Sequence, residues 1–135
     1  VPPTADQFRR TSYGVNNFLD PEVCPWGPDF DTDWPDREHY RLGNTTRPAA
    51  TIHFVIMAFE GEFAGADHPH VEDWVGSSPY NKAGRQLEIG AHGGPARGWA
   101  SVSNYGFLDG HAETLEFEQV FADHSTNRFD PDVAR

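Results

Sequence analysis

The stretch Val102-Ser103-Asn104-Tyr105-Gly106-Phe107-Leu108-Asp109-Gly110-His111-Ala112-Glu113-Thr114-Leu115-Glu116-Phe117 decides the fold. Two β-prone runs, 102–108 and 111–117, flank Asp109-Gly110. Asp-Gly supplies the positive φ angles of a type I′ turn, so the stretch predicts a β-hairpin. A two-residue turn sets Leu108 opposite His111, Gly106 opposite Glu113, Asn104 opposite Leu115 and Val102 opposite Phe117. In that register Val102, Leu108, Leu115 and Phe117 share one face with His111, and Tyr105 and Phe107 share the other with Ala112 and Thr114. One face is a core candidate and the other needs partial cover. Phe117, Val120 and Phe121 then begin a short helical turn.

Residues 51–59 (Thr-Ile-His-Phe-Val-Ile-Met-Ala-Phe) form the other clear strand. They are β-branched and aromatic and apolar on both faces, which reads as a central strand. Tyr13 and Val15 fit one face of a further strand, and Gln86 to Ile89 a short one. Residues 60–85 have loop character, as does the segment from His92 to Gly98. Residues 20–38 hold seven acids and four prolines, an acidic Pro-rich loop that Trp26, Phe30 and Trp34 would pin down. Residues 125–135 read as a polar, loosely held tail. Gly (13) and Pro (11) point to many turns. The expected class is α+β, mostly β: a small antiparallel sheet with long loops in a single domain over residues 1–135.

Composition excludes several functions. Asp and Glu number 21 against 10 Lys and Arg, a net charge of −11. The acid is even: residues 1–67 carry 11 acids and 5 bases, and residues 68–135 carry 10 and 5. Nucleic acid and anionic membranes need clustered bases, so neither is the expected partner. Four Trp, four Tyr and ten Phe argue for a packed core rather than a disordered acidic chain. The sequence contains no apolar run of 18 residues. Val1-Pro2-Pro3-Thr4 lacks the marks of a signal peptide and begins without methionine, which fits a processed chain or a piece that has lost such a segment. Cys24 is the only cysteine, so no intramolecular disulfide forms; it reads as a small, partly buried residue.

Three clusters could carry chemistry. Asp67-His68-Pro69-His70, with Glu72 and Asp73 beyond, puts His68 and His70 on one side of an extended segment, as a divalent metal would require. Glu72 and Asp73 stand where the His-x-His-x-Asp-His run of metallo-β-lactamases needs Asp and His, so loop histidines are the plainer reading. Asp29, Asp31 and Asp33 alternate carboxylates on a loop, a candidate calcium site. It departs from an EF-hand, because Trp34 replaces the required Gly and Tyr40 the bidentate Glu. His92, Asp109 and His111 form the third set, without a nucleophile beside them. The sequence has no G-x-S-x-G, Walker loop, G-x-G-x-x-G or C-x-x-C.

The block running from His92-Gly93-Gly94 to Val102-Ser103-Asn104-Tyr105-Gly106-Phe107-Leu108-Asp109-Gly110-His111-Ala112-Glu113 resembles the end of a family of bacterial prepilin-like proteins, named for a His, nine residues and Asp-Gly. Thr11-Ser12-Tyr13-Gly14-Val15-Asn16 is similar to the family's Ser-Tyr-Gly-x-Asn strand, and Arg47-Pro48-Ala49-Ala50-Thr51-Ile52 to its Pro-Ser-x-Thr segment. Two departures stand out. Sixteen residues, not nine, separate His92 from Asp109, which makes Pro95 to Ser101 an inserted loop. The family's basic leader, peptidase site and long apolar helix are not in this sequence. The resemblance implies the soluble head of a pilin-like or type II secretion pseudopilin-like subunit that works with other such subunits in a filament. It implies a secreted, cell-surface or periplasmic place in a bacterium, and a membrane contact only through the N-terminal helix. It implies no enzymatic activity, calcium in some heads, and a structural role for His92, Asp109, Gly110 and His111 as family motif. Two other readings stay open. One is a divalent-metal-binding module or metal-dependent hydrolase using the His and Asp clusters. The other is a carbohydrate- or peptide-binding β module with Trp26, Trp34, Trp74 and Trp99 as stacking platforms, against which stands the plainer role of pinning loops to the core.

Overall fold

The computed structural model describes residues 12–20, 22–25 and 42–135. Four strands form one antiparallel sheet in the order β1 (Tyr13–Val15), β2 (Ile52–Ile56), β3 (Val102–Phe107) and β4 (Ala112–Glu116). Helix α1 (Pro79–Gln86) lies between β2 and β3 in the chain, and α2 (Phe117–Val120) follows β4 directly. A two-stranded ribbon of β5 (Phe121–Asp123) and β6 (Thr126–Asn127) comes last. The architecture is mostly β within an α+β class, with short 3-10 turns at Asn17–Leu19, Leu42–Asn44, Glu62–Gly65 and Val71–Asp73.

The hairpin is present, but its register differs by one residue from the expectation. Val102 pairs with Glu116, Ser103 with Leu115, Tyr105 with Glu113 and Gly106 with Ala112. The turn holds three residues, Leu108, Asp109 and Gly110. Phe107 N–H donates to His111 O at 2.8 Å, and Gly110 N–H to Phe107 O at 3.0 Å. Gly110 takes φ +95°, the left-handed residue that closes a three-residue hairpin loop. The slip moves every side chain of β4 to the opposite face relative to β3. Tyr105 and Phe107 are therefore buried on the core side beside Leu115, while Ala112 and Thr114 face solvent.

Strand β2 is central in the sheet, as expected, but among the described residues only one of its faces is covered. A register shift between Ile52 and Phe54 turns both Ile52 and Val55 inward, and Phe54 is left 45% exposed. Tyr13 and Val15 do share a face, and it is the open one. Three further expectations fail. Part of the 60–85 stretch is helical, since Pro79–Gln86 forms α1. Gln86 to Ile89 forms no strand; Gln86 ends α1, and Leu87 makes a single bridge to Met57. The tail is not loosely held, because Asn127, Phe129, Asp130 and Ala134 are buried.

The core lies on one side of the sheet. Trp74 is its largest member, with Phe121 and Phe129 edge-on at 5.3 and 5.2 Å and Phe117 tilted at 5.9 Å. The indole N–H donates to Gln86 Oε1 at 3.0 Å, which satisfies the one polar atom of the ring. Cys24 is buried in the same cluster.

Candidate functional site

The hairpin turn is where the motif residues meet. Asp109 Oδ1 accepts from His111 N–H at 3.1 Å, an Asx arrangement natural to a turn, and also bonds the His111 ring at Nδ1. The other ring nitrogen, Nε2, lies 3.1 Å from Glu113 Oε1. Glu113 in turn lies 3.6 Å from the Arg128 guanidinium. The His111 ring stacks on Phe107 at 4.5 Å with an 8° tilt, and Arg128 sits 4.6 Å from the centre of the same ring. An imidazole between two carboxylates holds its proton more tightly. The Asp109 hydrogen bond, with help from Glu113, raises the pKa of His111. The same bond, seen from the carboxylate, lowers that of Asp109.

His92 does not belong to this group. Its N–H donates to Val102 O at 2.9 Å, at the start of β3, whereas Asp109 follows the end of β3. The six residues of β3, at about 3.3 Å each, hold the two roughly 20 Å apart. The expected set of His92, Asp109 and His111 is thus split. What sequence reading missed is Arg128, which closes the network from the segment taken for a tail. Its only sequence signal is that it precedes the apolar Phe129.

A second residue ties the sheet together. Asn16 is fully buried just after β1. Its Nδ2 donates to Ile52 O at 2.8 Å and to Phe129 O at 2.6 Å, and its Oδ1 accepts from Phe18 N–H at 3.0 Å. One side chain thus joins the first strand, the central strand and the C-terminal segment.

His68 and His70 are neighbours, with ring centres 5.0 Å apart and edge to face. Each Nδ1 is held by a carboxylate, His68 by Asp67 at 2.6 Å and His70 by Glu72 at 2.9 Å. Glu72 also accepts from Asn17 Nδ2 at 2.7 Å, and the His70 backbone N–H donates to Gln86. Among the described residues, no group of three or more His, Cys, Asp or Glu is placed to hold a metal ion. Asp29, Asp31 and Asp33 lie outside the described residues, as do Trp26 and Trp34. Trp74 is buried, and Trp99 packs edge-on against Tyr80 at 5.3 Å, so these two pin their loops to the core.

No family model matches the chain, and no solved structure matches it. Over 120 residues it is 31% identical to a probable beta-galactosidase B of Neosartorya fischeri. That alignment takes in 89% of this chain and 11% of the fungal protein. The chain therefore spans about a tenth of the length of the curated relative it matches. No helix among the described residues is long and apolar enough to cross a membrane.

Proposed function

We propose that this chain is the non-enzymatic head of a pilin-like or pseudopilin-like subunit, borne outside the cytoplasm of a bacterium. One observation supports the reading above the others: the three blocks that resemble the prepilin-like family become neighbours in a single sheet. The first supplies β1 and Asn16, the second leads into β2, and the third is the β3–β4 hairpin. Asn16 bonds the carbonyl that opens β2, and Leu108 N–H in the hairpin turn donates to Thr51 O at 3.0 Å. Residues that recur because they build a sheet would be used in this way. Asp109, Gly110 and His111 act in this reading as a turn and its brace. The partners are other pilin-like subunits, and calcium at Asp29, Asp31 and Asp33 remains part of the proposal as an accessory ion.

The gene tests it. The reading expects, upstream of Val1, a short basic leader followed by an apolar helix of about 20 residues, the length that spans a bilayer, with Glu as the fifth mature residue. A gene that encodes instead an extended catalytic domain upstream would overturn it. In cells, the chain should be recovered with sheared surface filaments; recovery only from the cytoplasm would count equally against it.

A further inference from the structure

Beside α1 the acidic character of the chain gives way. Of ten Lys and Arg in the sequence, three (Lys82, Arg85 and Arg97) line one cleft of about 400 Å³. Glu60, Glu62 and Asp73 line the same cleft. Lys82 and Arg85 stand three apart on α1, and so on one face. The acids come from the connection between β2 and α1. Among the described residues, no hydrogen bond or ion pair joins the acidic set to the basic one. Both signs of charge are gathered and left unspent.

Arg97 comes from the 95–101 loop, the segment that separates this sequence from the family spacing. The loop is a built structure. Its ends are closed by the bridge between Gly93 and Val102. Ser101 Oγ donates to Pro95 O at 2.6 Å and accepts from Gly98 N–H at 2.9 Å. Trp99 anchors it on Tyr80 of α1. The stem of Arg97 then lies across α1 at Gly84, where a Cβ would stand 2.9 Å from Arg97 Cδ and closer still to Cγ. Glycine in a helix interior costs about 1 kcal/mol against alanine. Its use at residue 84 gives Arg97 its place.

We propose that the 95–101 loop completes a binding site for a small zwitterion of the free-peptide class. Lys82, Arg85 and Arg97 receive its carboxylate, and Glu60, Glu62 and Asp73 its ammonium group. The cleft is of the size that small-molecule sites occupy, about 300–1,000 Å³. A ligand of one sign would gain from half of the cleft and be repelled by the other half; opposite charges at two ends use both. The cleft stands apart from the hairpin motif, so its test leaves the filament reading untouched.

The test is an NMR titration of the full chain with triglycine at low ionic strength, where screening is least. Triglycine should shift the backbone amides of Gly61, Arg85 and Arg97 saturably. N-acetyl-triglycine amide, with the same backbone and no charged ends, should not. Arg97→Gln should weaken triglycine about tenfold, the loss of one charge-assisted contact. Gly84→Ala should weaken it as well, with every charge retained, because the new Cβ displaces the Arg97 stem. Thermal melting of both variants verifies that they fold. The proposal is overturned if triglycine causes no saturable shift, or if the blocked peptide or inorganic phosphate shifts the same amides as strongly. It is overturned equally if both folded variants bind triglycine like the parent.

Discussion

At the scale of single residues, the hairpin turn makes stability depend on pH. The pKa of His111 is raised in the folded chain, so its contribution is complete below the ordinary imidazole value of about 6.5 and is lost as pH climbs through the raised value. The pKa of Asp109 is lowered, so its contribution is complete above the ordinary carboxylate value of about 3.9 and is lost as pH falls through the lowered value. Both are fully present between roughly pH 4 and 6.5. His111→Gln should therefore cost most in that window and progressively less toward pH 9. Urea unfolding of parent and variant at several pH values checks this; a constant difference from pH 5 to 9 would refute it. Both groups touch solvent, so added salt should shrink the effect. Asn16 makes a larger and pH-independent case. Asn16→Ala leaves the carbonyls of Ile52 and Phe129 and the N–H of Phe18 without their partner. Stranded buried polar groups cost about 1–3 kcal/mol each. A loss of about 3 kcal/mol is expected in urea denaturation, far beyond the few tenths of a surface change.

At the scale of elements, Asp109-Gly110 made the existence of the hairpin legible, but not its register. Two- and three-residue turns both accept Asp-Gly, so the local sequence does not choose between them. Tertiary contacts choose. Leu108 N–H donates to Thr51 O and Asp109 N–H to Pro48 O, at 3.0 and 3.3 Å. These bonds draw Leu108 out of the strand and into the turn, toward the start of β2. The three-residue turn then depends on φ +95° at Gly110. Gly110→Val should lower stability by about 2 kcal/mol, and Gly110→Asn by well under half of that, because Asn tolerates the left-handed region. Thermal melting of the two variants separates this from a mere preference for glycine, under which both would cost the same. Helix α1 went unread for another reason. Its buried positions are Pro79, Ala83 and Gln86, and only one of them is an ordinary apolar helix former. The legible signal was Ser78-Pro79, a polar residue followed by proline at the first helical position. The site was half legible: Asp109 and His111 announce themselves by spacing, whereas Arg128 reaches them only through the fold.

At the scale of the molecule, the C-terminal segment holds the rest together. In the sequence, residues 125–135 read as a tail because polar residues outnumber apolar ones there. Yet Ile52 N–H donates to Arg128 O at 2.9 Å, the Arg47 guanidinium to Ala134 O at 3.1 Å, and Asn16 to Phe129 O. The segment thus carries backbone acceptors for three distant parts of the chain, while Phe129 fills the aromatic cluster around Trp74. Few apolar residues suffice, because Phe129 and Ala134 are each wholly buried. Truncating a buried Phe to Ala costs about 3–5 kcal/mol through lost transfer energy and the cavity left behind. In a domain of this size that lowers the melting temperature by roughly 10 °C or more. Phe129→Ala should do this and, unlike a mutation in a loose tail, should also change the emission of Trp74, whose ring lies 5.2 Å from Phe129. Trp26, Trp34 and Trp99 share the spectrum, so the comparison is made in a background with all three changed to Phe. A Phe129→Ala variant that melts within 2 °C of its parent would restore the segment to a tail and remove the anchor on which Asn16 and β2 depend.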